Sequence, residues 1–439
     1  MKELKSGLKM SFLKNILKKR EPRVVMIGLD GVPQTLLKKL MDKGICPNIK
    51  KLVKSSRLYQ MDASLPEISS VSWASFMTGT NPARHGIFGF TELKPNSYSI
   101  SFPNYLSLKE KTIWDRIGEK DKKSSILNLP GTYPAREHKG ILISGFVAID
   151  LKKSVYPQSL YEKLKSMDYR IDVDTTRAKD KDFFYKDLFE TLEKRKKVFS
   201  ELWDEQCDLF VAVITDTDRL QHFEFDAIVD ENAERYESAM RFYQKVDEAV
   251  GEILDKTNDK DFVMMMSDHG FTQIEEEVYL NRILVQNGFL KWEEDPPSEF
   301  GKMAKETIAF AMDPSRIYIH RKGKYPKGSV EEKDVPKIKE DLKNLFASLE
   351  RNGKKVIKSF FFKEDIYEGD YLDLAPDIVL LSNYGFDLKG NPKAKEPFDK
   401  THFSGMHTRD DAFLITDKEF SKKPHIEDVS KIILEKFNG

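Results

Sequence analysis

Runs of mostly apolar residues alternate along this chain with stretches in which apolar and polar positions follow helical spacing. The runs at 24–29, 208–215 and 261–266 are typical of strands that are covered on both faces. One helical pattern ends at Gly44, and a longer one covers about 230–256. Strands that alternate with helices predict a doubly wound, largely parallel α/β sheet.

Residues 275–375 interrupt this alternation with an acidic, proline-containing loop and a charged helical stretch. We therefore predict an inserted cap or subdomain at 275–375, with the core formed by 21–274 and 376–439. The apolar run APDIVLLS at 375–382 has the character of a core strand, and it predicts the point where the chain returns to the core.

The composition bounds the size and the setting of the protein. The chain has 439 residues, 40% of them hydrophobic, enough for one large α/β domain with an insertion or for two or three average domains. Lys plus Arg equals Asp plus Glu at 72 each, so the net charge is zero and no nucleic-acid polymer is expected as a partner. Cys46 and Cys207 indicate no disulfide framework, and we expect a cytoplasmic setting.

The first twenty residues alternate Lys and Arg with Leu, Phe and Ile. This spacing predicts a basic amphipathic N-terminal extension, which could lie on an anionic membrane surface. A terminal segment that frays, or that docks on its own domain, explains the same pattern and is the interpretation we favour. Peripheral contact with the inner face of a membrane through residues 1–20 therefore stays open.

Polar residues follow the predicted buried strands, where ligands bind in open α/β sheets. Asp30 and Asp218 each follow one such run, and the sequence SDH at 267–269 follows a third. Each has an ordinary explanation as a helix cap or an Asx turn. Together with residues elsewhere in the chain, they indicate two divalent metal ions beside a hydroxyl nucleophile. The candidates are Asp30, Ser69, Asp218, His222, Asp268, His269 and His407.

Two of these candidates have close competitors. Asp218 and His222 lie four residues apart, which places them on one face of a helix and lets them hold one metal ion. Asp216 competes with Asp218, but its spacing to His222 does not suit a single helical face. His402 competes in the same way with His407.

Ser69 belongs to a serine-rich stretch at the start of a predicted helix. Free N–H groups at a helix N-terminus stabilise anions, so a serine there can face a phosphate. A metal ion can also lower the pKa of such a hydroxyl and make it a nucleophile. Helix capping is the alternative role for this serine.

Five motifs occur in order along the chain: GLDG, SSVSWASFMTGTNPARHGI, DTDRLQH, SDHGF and SGMH. As an ordered set they resemble the alkaline phosphatase superfamily, and within it the type I phosphodiesterase and nucleotide pyrophosphatase group. The resemblance runs from about residue 23 to the C-terminus. It implies a three-layer α/β/α sandwich with a site for two metal ions, commonly zinc.

By position in this resemblance, Asp30, Asp268, His269 and the nucleophile would serve one metal ion. Asp218, His222 and His407 would serve the other. Ser69 falls at the nucleophile position, ten residues before Gly79. Two imidazoles with one carboxylate suit zinc, and the site richer in aspartate would also accept manganese or magnesium.

Two positions depart from the pattern of nucleotide pyrophosphatases. Many of those enzymes carry threonine where this chain has Ser69. They also place an asparagine, which binds a substrate oxygen, five residues after the histidine of the HGI motif, and this chain has Phe90 there. Arg84 and Thr91 are candidate substitutes on proximity in the sequence alone.

The main hypothesis from the sequence is a metal-dependent hydrolase that cleaves phosphodiester or pyrophosphate bonds of a small-molecule ester through a phosphoserine on Ser69. A phosphomonoesterase, or a phosphotransferase or mutase whose region 275–375 closes over the site, is the alternative. A non-catalytic metal-binding protein is the third hypothesis. Nothing in the sequence indicates an oligomeric state.

Overall fold

The computed structural model describes residues 21–400 and 402–438. The predicted amphipathic extension at 1–20 lies outside these residues. No helix in the described ranges has the length and the apolar character needed to cross a bilayer.

The chain forms twenty-one strands and thirteen α-helices over the described ranges. The strands are β1 (Val24–Leu29), β2 (Arg57–Met61), β3 (Glu92–Leu93), β4 (Ile100–Ser101), β5 (Ser124–Leu129), β6 (Gly140–Ser144), β7 (Val155–Tyr156), β8 (Leu209–Ile214), β9 (Phe262–Met266), β10 (Gly270–Gln273), β11 (Glu276–Tyr279), β12 (Ala309–Met312), β13 (Arg316–Ile319), β14 (Glu350–Arg351), β15 (Lys354–Lys355), β16 (Ile357–Phe362), β17 (Ile378–Ser382), β18 (Phe386–Lys389), β19 (Phe398–Asp399), β20 (Gly405–Thr408) and β21 (Ala412–Thr416). The helices are α1 (Gln34–Asp42), α2 (Pro47–Ser55), α3 (Ser69–Thr78), α4 (Pro82–His85), α5 (Ile113–Gly118), α6 (Leu160–Ser166), α7 (Lys181–Leu202), α8 (Asp216–Val229), α9 (Tyr236–Leu254), α10 (Leu280–Gln286), α11 (Val335–Ala347), α12 (Lys363–Ile366) and α13 (Ile426–Glu435).

The central sheet has eight strands in the order β2-β21-β9-β1-β8-β5-β6-β7. Its five inner strands, from β9 to β6, run parallel, and antiparallel strands close both edges. All residues of β1 and β8 are buried. Alternate residues of β1 enter two different cores, with Val25 and Ile27 on one face and Val24 and Met26 on the other. This is a three-layer α/β/α sandwich, so the predicted fold class is confirmed.

A third hydrophobic core is formed by residues from Val278 to Leu388. It is built on a four-stranded sheet, β12-β13-β17-β16, and on the three-stranded sheet β18-β11-β19. The run at 375–382 contains the fully buried strand β17, which pairs with β13 and β16 in the smaller sheet. A strand buried on both faces has the same apolar pattern in either sheet, so its sequence does not reveal its partners.

Candidate active site

Three neighbouring parallel strands end at the same edge of the central sheet, and polar residues follow each of them. Asp30 comes directly after β1, Asp218 lies in the first turn of α8 after β8, and Asp268 and His269 follow β9. The turn after β1 depends on Gly31, whose φ is +71° and whose amide donates to Asp268 Oδ1 at 3.0 Å. The strand ends therefore gather these carboxylates in one crevice.

The first cluster of metal-ligand type consists of Asp218, His222 and His407. Asp218 Oδ1 lies 3.4 Å from His222 Nε2 and 3.3 Å from His407 Nε2. The two Nε2 atoms are 3.0 Å apart. Helix α8 supplies the first two residues, and β20 brings His407 to them from far along the chain.

The second cluster surrounds Ser69, which is the first residue of α3. Its Oγ lies 3.1 Å from His269 Nε2 and 3.5 Å from Asp30 Oδ1. His269 Nε2 is also 3.2 Å from Asp268 Oδ2. The ring of His269 stacks on that of His407 with 3.6 Å between centroids, so the two clusters adjoin. The structure thus brings together all seven residues that the sequence singled out.

The three histidines are anchored in the same way. The Nδ1 atoms of His222, His269 and His407 lie 3.2, 3.1 and 3.0 Å from the main-chain carbonyl oxygens of Gly405, Gly270 and Glu67 respectively. A carbonyl oxygen only accepts, so each Nδ1 carries the hydrogen and each Nε2 turns a lone pair into the site. Metal-binding histidines in proteins commonly have this arrangement.

Burial shifts the pKa values in the site away from their ordinary range. It raises the pKa of Asp30 well above the usual value, helped by the charges of Asp268 and Asp218, and it raises the pKa of Asp268 to about 7. Burial lowers the pKa of both His222 and His269 to about 4. For Asp218 the effect of burial is outweighed by His222, His407 and Arg219, which hold its pKa well below the usual range.

These donors suit divalent cations. Asp218 Oδ1 and Asp268 Oδ2 are buried and lack a hydrogen-bond partner among the described residues. His222 Nε2 and His407 Nε2 face each other at 3.0 Å with no hydrogen between them, which is repulsive unless a cation or a proton intervenes. Two zinc–nitrogen bonds at a tetrahedral angle place their nitrogen atoms roughly 3.3 Å apart, close to the spacing in the first cluster.

The competing candidates lie outside these clusters. Asp216 is fully buried in an ion pair with Arg195, and the ring of His402 stacks on Phe223 with 5.9 Å between centroids. Both side chains therefore have structural partners of their own.

The three candidate substrate contacts separate in the structure. Phe90 is among the described residues that line a cavity of about 300 Å³ beside the first cluster, and the other two are not. Arg84 lies 3.9 Å from Glu368 in a half-exposed ion pair. The carbonyl of Thr91 accepts a hydrogen bond from Arg316 at 2.8 Å.

Two residues of the site were missed by the sequence analysis. Trp73 donates its indole N–H to Asp30 Oδ2 at 3.1 Å. Arg219 donates to Asp218 Oδ2 at 3.1 Å, and its guanidinium also stacks on the ring of Phe146. Trp73 follows Ser69 by one helical turn, which is a usable signal, whereas nothing in the sequence distinguishes Arg219 from other arginines.

Comparisons with known proteins identify the family of the chain. Residues 24–410 match the sequence profile of the family described as type I phosphodiesterase / nucleotide pyrophosphatase. No curated protein sequence matches the chain significantly.

The fold matches solved structures at low sequence identity. Phosphonoacetate hydrolase from Sinorhizobium meliloti 1021, in complex with phosphonoacetate, superposes with a TM-score of 0.62 at 14% identity, covering 95% of this chain and 96% of that one. Inactive murine ectonucleotide pyrophosphatase/phosphodiesterase 5, in complex with AMP, superposes with a TM-score of 0.56 at 13% identity, covering 95% of each chain. The human form of the latter gives 0.55 at 14% identity, again over 95% of each chain. The chain thus belongs to the type I phosphodiesterase / nucleotide pyrophosphatase family, within the alkaline phosphatase superfamily, and is a phosphoesterase.

Proposed function

We propose that this protein hydrolyses phosphodiester or pyrophosphate bonds with the help of two divalent cations, through a phosphoserine on Ser69. The observation that carries the proposal is the position of Ser69 Oγ, at the N-terminus of α3 and 3.1 Å from His269 Nε2. Structural neighbours that bind AMP or phosphonoacetate support a small phosphorus-containing substrate.

Asp30, Asp268, His269 and Ser69 would hold one cation, and Asp218, His222 and His407 would hold the other. Bound cations supply Lewis acidity, which lowers the pKa of the serine hydroxyl and offsets negative charge in the transition state. Zinc suits the histidine-rich set best, and manganese or magnesium would suit the aspartate-rich set.

The residues of the chain define the two chemical steps. The Oγ–P bond of Ser69 forms as the bond from phosphorus to the leaving oxygen breaks, and the proton that Ser69 loses ends on the leaving oxygen. Free N–H groups in the first turn of α3 hold the phosphoryl oxygens. Water then attacks phosphorus, the Oγ–P bond breaks, and Ser69 regains its proton.

Replacement of the nucleophile tests this proposal. We expect Ser69→Ala to lower kcat for bis(4-nitrophenyl) phosphate by at least about 10³-fold while both cations remain bound, because only the attacking oxygen is lost. Ser72→Ala is the matched control, since Ser72 lies on the same helix with its hydroxyl buried. Retained turnover by Ser69→Ala would exclude Ser69 as nucleophile.

Comparison of two chromogenic substrates tests the bond type. With zinc, manganese or magnesium added, we expect bis(4-nitrophenyl) phosphate to be hydrolysed with higher kcat/KM than 4-nitrophenyl phosphate. A preference for the monoester would instead indicate a phosphomonoesterase or a phosphotransferase.

A further inference from the structure

A cavity of about 550 Å³ opens beside α3. Its helical wall consists of Ser70, Ala74 and Met77, which share one face of α3 because they are spaced by four and three residues. The loops that follow β5 and β6 supply much of the remaining wall, including Phe146 and Ile149. The cavity therefore lies at the same edge of the central sheet as the candidate active site.

The lining of this cavity is apolar. None of the described residues that line it is charged, and its polar side chains are those of Ser70, Asn104 and Tyr133. Asn104 is already engaged, because its side chain accepts from the amide of Leu106 at 2.9 Å. A nucleobase and its sugar would bring polar groups that this wall leaves without partners, which is unfavourable.

The cavity adjoins the reacting groups directly. Ser70, the residue next to the proposed nucleophile, forms part of its wall. Phe90 lines both this cavity and the polar one beside His222 and His407, and its ring packs edge-on against Phe146 at 5.6 Å. A phosphoester at Ser69 can therefore place one organic group in the apolar cavity and the other in the polar one.

Exposed apolar side chains surround the mouth. Phe102 is 71% exposed and Ile149 is 88% exposed, and both line the cavity, as does the less exposed Val147. Large side chains of this kind are unfavourable in contact with water, and a cluster of them marks a binding site for an apolar partner.

We infer that this cavity receives a long apolar chain of the substrate, so that the preferred substrates are phosphodiesters with an alkyl-type group rather than nucleotides. This inference rests on the proposed phosphodiesterase function. A volume of 550 Å³ lies within the usual range for ligand pockets. It accommodates on the order of eighteen methylenes, taking each as about the size of a water molecule, ~30 Å³.

Chain-length dependence tests the inference. The substrates are 4-nitrophenyl alkyl phosphate diesters with chains of two to eight carbons, used below the concentration at which they aggregate. We expect kcat/KM to rise about fourfold per methylene, because each one leaves water for the apolar wall. The octyl ester should also exceed thymidine 5′-(4-nitrophenyl phosphate).

The double variant Phe102→Glu/Ile149→Glu places charge at the mouth, at positions exposed enough to leave folding intact. It should lower the octyl-to-ethyl ratio of kcat/KM at least about tenfold, since an apolar chain would pass two carboxylates. Leu374→Glu is the matched control: Leu374 is 45% exposed, lies outside this cavity, and should keep the wild-type ratio. A ratio that does not depend on chain length, or a preference for the thymidine ester, would overturn the inference.

A binding measurement separates failure of this inference from failure of the proposed function. Calorimetric titration of Ser69→Ala protein with octyl methyl phosphate measures the contribution of the alkyl chain to binding, without any turnover. Tight binding of the octyl ester and weak binding of the dimethyl ester, with no hydrolysis by wild-type protein, would leave the apolar site in place and exclude the proposed reaction. Hydrolysis of the 4-nitrophenyl ethyl ester, with equal binding of the octyl methyl and dimethyl esters, would support the proposed reaction and exclude the apolar site.

Discussion

The indole of Trp73 links the helix that begins at Ser69 to the carboxylate of Asp30. It packs on β1 near its carboxyl end, where a Cβ at Gly28 would come within 2.8 Å of the Trp73 ring, so this strand position accepts only glycine without movement. Its N–H holds Asp30 Oδ2 at 3.1 Å and leaves Oδ1 directed toward Ser69 and His269. One side chain thus fixes the orientation of a proposed metal ligand.

Trp73→Phe should weaken binding of divalent cations by about 10–100-fold, because the carboxylate of Asp30 loses the donor that orients it. The affinity can be measured by titrating metal-free protein with zinc in competition with a chromogenic chelator. Trp114→Phe is the control, since Trp114 is equally buried and donates to Tyr105 Oη at 2.7 Å. Equal affinity in the two variants would mean that Trp73 acts through packing alone.

At the residue scale, the sequence was sufficient to identify the polar side chains at the strand ends. It was not sufficient to identify the residues that contact them in the fold. Asp218 was separable from Asp216 because helical spacing to His222 is a local property. Trp73 was missed, since a tryptophan in an apolar helix is ordinarily a core residue and its bond to Asp30 spans 43 positions. Long-range pairing of this kind depends on the fold.

Five elements supply the site, and the helix α3 shows how one of them is prepared for an anion. Its N-cap is Ile68, which has no side chain able to cap the first turn. By contrast, Thr112 caps α5 and Asp180 caps α7 with side-chain oxygens. The free N–H groups of α3 are therefore open to a phosphoryl group at Ser69.

The turn that ends β1 provides a prediction at the element scale. Gly31→Ala should unfold more easily than wild type by clearly more than about 1 kcal/mol, the usual penalty for a Cβ at positive φ. The excess arises because the new Cβ would lie 2.8 Å from the ring of Phe271. That ring packs against both His222 and His407, so kcat/KM should fall as well.

Gly44→Ala is the control for this change. Gly44 has nearly the same φ, +75°, and nothing lies within 4 Å of its added Cβ. Urea denaturation should therefore give the conformational penalty alone for Gly44→Ala, with wild-type activity. If the two variants lose equal stability, Phe271 yields to the new methyl group and the steric argument fails.

The hydrophobic pattern was sufficient to locate the buried strands β1, β8 and β9 of the main sheet. It was insufficient for the pairing of β17, because pairing depends on partners that the pattern of one strand does not specify. The apolar cavity beside α3 could not be predicted from the sequence either. The residues that line it are of ordinary core type and come together only in the fold, as Ala74, Ile87, Phe102 and Ile149 do.

At the scale of the whole molecule, the proposed ligands extend from Asp30 to His407, so cation binding would join both ends of the core. Without cations, three buried carboxylates of the site repel one another, and burial disfavours their charged forms. We therefore propose that the stability of the core depends on the bound cations. The region 275–375, with the strands that complete its sheets, is attached to this core.

Removal of the cations tests this dependence, and Asp268→Asn identifies its origin. The pKa of Asp268 in the folded protein is raised to about 7 by burial, above the value near 4 of an unfolded chain. Its contribution to stability is therefore full below about pH 4 and is lost as the pH rises through about 7. In chelator, the Tm of the wild type should fall from pH 6 to pH 8 as Asp268 loses its proton. Asp268→Asn keeps an oxygen for the Gly31 amide and has no proton to lose, so its Tm should not show this contribution to the fall.

With excess zinc the wild type should have a higher Tm than Asp268→Asn, because the variant has lost part of the free energy of zinc binding. For the wild type this free energy stabilises the folded state by about 4 kcal/mol at a thousandfold excess of zinc over Kd. Calorimetric scans at both pH values, with chelator and with zinc, give the four Tm values required for each protein. Asp216→Asn is the contrast: it breaks a fully buried pair with Arg195 and should lower Tm with and without zinc alike. A lower Tm for Asp268→Asn than for wild type in chelator at pH 8 would show that Asp268 is not a source of repulsion in the metal-free protein, and the argument from buried charge would then fail.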